Sequence, residues 1–180
     1  MSYEIEFLRR EPGQSWDDAL DHEEERDPVL SDVAGGRAGE ELRAAWQRIV
    51  PHARALLGEV SVDDVRAAFC LDHEATGIQL SVYADTAGIT VPYAARGSAA
   101  ADLVERRLYP LARIVERETG LEGYDPQLGA AVADWTDAAR PRVVALFEEA
   151  SADAPRDPGH PGPGPSAGPG GPATDPGRGQ

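Results

Sequence analysis

The chain has 180 residues, 32 acidic against 17 basic, a formal net charge of −15 and 41% hydrophobic residues, enough for one ordinary domain with an extension. A surface of this sign repels a phosphate backbone, so nucleic acid is excluded as the expected partner. Every basic residue is arginine, which removes lysine chemistries such as a Schiff base or a P-loop lysine, and the one cysteine, Cys70, excludes an intrachain disulfide and a cysteine-based zinc site.

The opening Met1-Ser2-Tyr3-Glu4-Ile5-Glu6 lacks the basic and then apolar pattern of an export signal, and nowhere do about 18 apolar residues run together. A cytoplasmic protein without a membrane anchor is expected. Tyr3, Ile5 and Phe7 alternate with Glu4 and Glu6, the period of two of a strand with one apolar face, over residues 2–9. Glu11-Pro12-Gly13 is a turn. Ser15 then caps a short, very acidic helix over 16–25, which Asp27-Pro28 ends. From 39 to 57, Leu42, Ala45, Trp46, Ile49, Ala53, Leu56 and Leu57 recur at helical steps. Pro51 lies inside that stripe and predicts a kink, or two helical pieces meeting near Val50, with Gly58 as the stop.

Residues 60–75 are ambiguous: Val62-Asp63-Asp64-Val65 is compatible with a helical turn, whereas Phe69, Cys70 and Leu71 read as strand. Ile78, Leu80, Val82 and then Ile89, Val91, Tyr93 alternate around the loop 84–88, the pattern of a β-hairpin. Pro92 cannot donate to a ladder, so the second strand is expected at a sheet edge or to end there. Ser98 is the expected N-cap of a helix through Leu103/Val104, Leu108, Leu111 and Ile114/Val115, with a second kink at Pro110 and Thr119-Gly120-Leu121 as its C-cap. Tyr124-Asp125-Pro126-Gln127 is read as fixing the chain's entry into a last helix over 136–150.

Past residue 150 the chain holds eight Pro, eight Gly and no large apolar side chain, and a segment that buries nothing cannot offset the entropy of ordering it. The expected organisation is a single acidic α+β domain over 1–150 and a disordered Pro/Gly-rich tail over 151–180. The first 150 residues carry 29 acidic and 15 basic groups, hence −14 of the charge. The domain is expected to hold a small, mostly antiparallel sheet of three to four strands with two to four helices.

No coherent catalytic set emerges. His22, His52, His73 and His160 have no mutual helical spacing for a metal, and Asp18 to His22 lies in a helix so acidic that a solvated face is the simpler reading. Asp17-Asp18, Asp63-Asp64 and Glu148-Glu149 read as surface pairs rather than an acid and base of split pKa. Cys70 and His73, three apart in a strand, fall on opposite faces, so an inert cysteine is expected. Gly35-Gly36-x-x-Gly39 lacks the spacing, the lysine and the preceding strand of a phosphate loop, and is read as a flexible loop. No metal site and no cofactor is expected.

The Met-Ser-Tyr strand, the hairpin from Thr76-Gly77-Ile78 to Val91-Pro92-Tyr93, and Tyr124-Asp125-Pro126-Gln127 together resemble small uncharacterised α+β proteins of actinomycete bacteria over residues 1 to about 150. The resemblance implies a fold but carries no activity to any residue. Some small acidic proteins of that kind resemble immunity proteins, which mask the basic site of a toxin. Two functions follow as expectations. The first is a non-catalytic cytoplasmic interaction protein with an acidic face for a basic protein partner. The second is a small enzyme or ligand-binding domain whose pocket, between sheet and helices, is lined by Trp46, His73, Tyr83, Tyr93 and Tyr124.

Overall fold

The computed structural model describes residues 2–24, 36–65 and 68–152. The elements run β1 (Ser2–Leu8), α1 (Trp16–Glu24), α2 (Gly36–Leu57), β2 (Ser61–Val65), β3 (Ala68–His73), β4 (Ile78–Val82), β5 (Thr86–Pro92), α3 (Ser98–Leu103), α4 (Tyr109–Thr119), β6 (Glu122–Asp125), β7 (Ala130–Ala131) and α5 (Arg140–Ala152). The expected tail lies, past Ala152, outside the described residues, as do Asp27-Pro28 and His160.

The α+β class holds, but the sheet has seven strands rather than three or four, in the order β2-β3-β4-β5-β1-β6-β7, and every pairing is antiparallel. The additional strands come from the segments whose periodicity is weakest. Val62-Asp63-Asp64-Val65, compatible with a helical turn in sequence, is the edge strand β2, held by its ladder to β3. Glu122–Asp125 pairs with β1, and Ala130–Ala131 extends that edge. Long-range pairing decides such short segments, because strand propensity mostly measures packing and context.

β1 is an interior strand, between β5 and β6. Its alternation is resolved as expected: Tyr3, Ile5 and Phe7 are buried, while Glu4 and Glu6 are only half-buried on the opposite face. The hairpin is β4–β5, but β5 is an interior strand and not an edge. It ends at Pro92, paired with Ser2, where one missing donor is tolerated.

The inner face of the sheet supports the core. Trp46 of α2 stacks on Phe69 at 5.4 Å, Phe147 of α5 packs on Tyr3 at 5.5 Å, and Leu108, Leu111 and Val115 are fully buried on the helical run from Ser98 to Thr119. α1 is the exception. Its Trp16 stacks on Tyr124, which points outward in register with Glu6.

The two helical prolines are accommodated in different ways. α2 runs through Pro51 as one element, with the ring exposed and Ile49, Ala53 and Leu57 buried on the opposite side. Pro110 follows a π segment, Val104–Leu108, in which the Tyr109 N–H bonds the Val104 carbonyl. The widened turn relieves the clash that proline makes with the preceding turn of an α-helix. Ser98 is the first helical residue and makes no cap; Gly97 stands at the N-cap position. Gly36 and Gly39 belong to α2 instead of a loop. Ser15 does cap α1, accepting from the Asp18 N–H at 3.1 Å, and Gly120 ends α4 with φ 73°.

Two glycines distinguish the faces. A Cβ on Gly123 would lie 2.7 Å from Val132 and 2.9 Å from Phe7, whereas one on Gly88, between Glu6 and Ser81, would meet nothing within 4 Å. Gly123→Ala is expected to lose about 1–3 kcal/mol by overpacking. Gly88→Ala is expected to be neutral or to gain roughly 0.5–1 kcal/mol, since glycine weakens a strand interior. Urea unfolding of both variants checks this; a destabilised Gly88→Ala would mean the outer face is covered.

Candidate functional site

Alternation along seven strands gives the sheet an outer face that the main helices leave uncovered. Across it run two rows of side chains in register. One is Ser61, Asp72, Gln79, Thr90 and Glu4; the other is Asp63, Cys70, Ser81, Gly88, Glu6 and Tyr124. The side chains are short and polar, with Gln79 donating to Asp72 at 2.7 Å and Cys70 beside Ser81 at 3.8 Å. The seven strands contain no arginine, so the strand charges on this face are the carboxylates Glu4, Glu6, Asp63, Asp72 and Glu122, the last of them paired with Arg10.

At the β6 border the polar rows meet an aromatic stack. Trp16 lies 4.8 Å from Tyr124, nearly parallel, and the Arg10 guanidinium sits 4.5 Å from the Trp16 ring. Arg10 is fixed in turn by Glu122, at 2.6 and 3.0 Å, and by the Gln14 carbonyl at 2.8 Å. Both rings are half-buried. The stack is a preorganised apolar anchor at the rim of an acidic face.

What holds β6 in place is on the other side of the sheet. Asp125 is fully buried. Its Oδ2 accepts from the hydroxyls of Tyr3 and of Tyr109, the latter at 2.7 Å, and its Oδ1 accepts from the Leu128 N–H at 2.9 Å. The Asp125 carbonyl accepts from the Gly129 N–H at 2.8 Å, with Gly129 at φ 65°, and the Gln127 side-chain oxygen accepts from the Glu4 N–H at 3.1 Å. Tyr124-Asp125-Pro126-Gln127 is therefore the end of β6 and the turn into β7, not the lead into the last helix.

Burial raises the Asp125 pKa above the ordinary 3.8, against the lowering effect of its hydrogen bonds from Tyr3, Tyr109 and two backbone N–H groups. Burial, and next the Asp125 charge, raise both tyrosines, so they stay donors; Tyr93 is raised by the same causes.

The five aromatic and histidine candidates do not share a wall. Trp46 is a core residue on Phe69. His73 is buried at the end of β3, its Nδ1 2.7 Å from the Thr76 hydroxyl. Tyr83 is exposed after β4. Tyr93 packs edge-on against Phe147 at 4.8 Å and Tyr3 at 6.3 Å, and Tyr124 is on the outer face. Cys70 and His73 do take opposite faces, Asp63 and Asp64 diverge across β2, with Asp64 bound to Arg43 at 2.9 Å, and Asp18 and His22 are exposed on α1. Among the described residues no group of three or more His, Cys, Asp or Glu is placed to hold a metal ion, and no helix is long and apolar enough to cross a membrane.

No family model, no curated protein and no solved structure matches the chain.

Asp125→Asn tests the buried network. With the amide oxygen kept on the Leu128 N–H, the NH2 takes the place of the acceptor of the Tyr3 and Tyr109 hydroxyls, which must turn to accept from it and lose the partner of a buried O–H; a buried unsatisfied group costs about 1–3 kcal/mol. A raised native pKa means the folded state binds the proton more tightly, so wild type gains stability relative to the non-titrating asparagine as pH falls from above that pKa toward 3.8. Chemical unfolding across this range should show the wild-type advantage growing toward acid; a shrinking advantage would contradict the raised pKa.

Proposed function

We propose that the protein is a non-catalytic cytoplasmic binding protein that docks a basic protein partner on the outer face of its sheet. Asp63, Asp72 and Glu4 supply the field that steers the partner, and the Trp16–Tyr124 stack supplies an aromatic anchor of the type that dominates interface energetics. The observation that carries the reading is the partition of charge. Strand residues contribute carboxylates and no arginine, whereas several helix arginines pair on the helical side, as in Arg43–Asp64, Arg48–Glu118 and Arg140–Asp102.

An acidic face of small side chains favours a flat, basic surface. Masking the basic site of a toxin, as the resemblance to immunity proteins implies, is one form of this role. The second reading, a small-ligand domain, draws support from one cavity at the opposite side of β6, taken up below.

Affinity capture with the intact chain in lysate of its own host tests the proposal. Because screening shortens from about 10 Å at 0.1 M salt to about 3 Å at 1 M, a basic partner is expected at low salt and should be lost at high salt. It should also be lost, at low salt, from a variant carrying Glu4→Gln, Asp63→Asn and Asp72→Asn. A partner retained equally by that variant, or no basic partner at all, would sink the proposal.

A further inference from the structure

Between the start of α4, the β6–β7 turn and the first turn of α5 lies a cavity of about 280 Å³. Trp135 forms one wall, its ring tilted 40° to that of Tyr109 with centroids 4.2 Å apart, and Leu128 and Ala139 add apolar surface. Its floor is rigid, because Tyr109 is tied to Asp125 and so is the Leu128 N–H. Ligand sites are usually preformed in this way.

Two charged side chains complete the lining, Asp134 and Arg142. Arg142 donates to the carbonyls of Leu128 at 3.0 Å and Gln127 at 3.2 Å. Those bonds orient the guanidinium but leave its charge without a counterion among the described residues. Asp134 is exposed and makes no hydrogen bond or ion pair among the described residues. Opposite charges therefore line one cavity without pairing with each other.

We propose that this cavity binds a small zwitterion with an apolar or aromatic body, of the class of a free α-amino acid. Its carboxylate meets the remaining donors of Arg142, its ammonium meets Asp134, and its side chain lies against Trp135. Arginine offers five donors in a fixed fork, so two carbonyl bonds leave it able to hold a carboxylate. An indole beside the ammonium adds a cation–π attraction. The volume suits the class: drug-sized ligands take pockets of about 300–1,000 Å³, and this cavity is just below that range. The site is separate from the outer sheet face and stands or falls independently of it.

Calorimetric titration of the full chain with valine, phenylalanine, phenethylamine and 3-phenylpropionate tests the assignment. Phenylalanine should bind saturably and about tenfold or more tighter than the amine or the acid, each of which keeps one charge, and valine shows whether an aliphatic body suffices. Asp134→Asn, at an exposed side chain with no partner to lose, should weaken the amino acid about tenfold while leaving 3-phenylpropionate unchanged. No saturable heat from phenylalanine into the millimolar range, equal affinity for the three phenyl compounds, or an Asp134→Asn variant that binds the amino acid as wild type does would each overturn it.

Discussion

One carboxylate organises this molecule. Asp125 is wholly buried and accepts hydrogen bonds from Tyr3 on β1, Tyr109 on α4 and the Leu128 N–H in the β6–β7 turn, joining positions up to 122 residues apart. A lone buried charge would be untenable, and a partly satisfied one expensive; three donors from separate elements make it tolerable only when all are docked together. The π segment ahead of Tyr109 belongs to the same arrangement. It accommodates Pro110 and sets the register in which Tyr109 reaches the acid.

The consequences reach the outer face through β6. Because Asp125 is fixed inward, its neighbour Tyr124 is fixed outward, beneath Trp16 and beside Glu6. The sheet thus has two chemically distinct faces. The inner one carries Ile5, Phe7, Leu71, Leu80 and Ile89, all buried under helices. The outer one is a surface of small polar side chains with carboxylates and no strand arginine. Exposed ion pairs such as Arg43–Asp64 contribute little to stability; Arg43, Arg48 and Arg140 pair on the helical side, and Arg10 meets Glu122 at the β6 border.

Much of this was legible in the sequence, and the missing parts have a common cause. The period of two in Tyr3-Glu4-Ile5-Glu6-Phe7, the β4–β5 hairpin, the stripe of α2, the Ser15 cap and the Gly120 stop depend on neighbours within a turn or a strand, and they read correctly. β2, β6 and β7 are short and owe their existence to partners far along the chain, so Asp63-Asp64 reads as easily as a turn. Trp46, His73, Tyr83, Tyr93 and Tyr124 are the aromatic types a pocket uses, but composition does not say which face each takes. Asp125 was the missed residue. Its signal was an aspartate in strand register with a core glycine, Gly123, beside an Asp-Pro turn, and only the distant tyrosines reveal its role. Trp135, Asp134 and Arg142 carry no sequence pattern that brings them together.

The central functional claim is that the outer sheet face is the binding surface, and the most direct measurement of it is hydrogen–deuterium exchange of the free chain and of its complex with the captured partner. Docking on that face predicts slowed exchange in β3, β4 and β5 and around Trp16, with α2 and α5 unchanged. Protection confined to α2 or α5 would place the partner on the helical side and contradict the account.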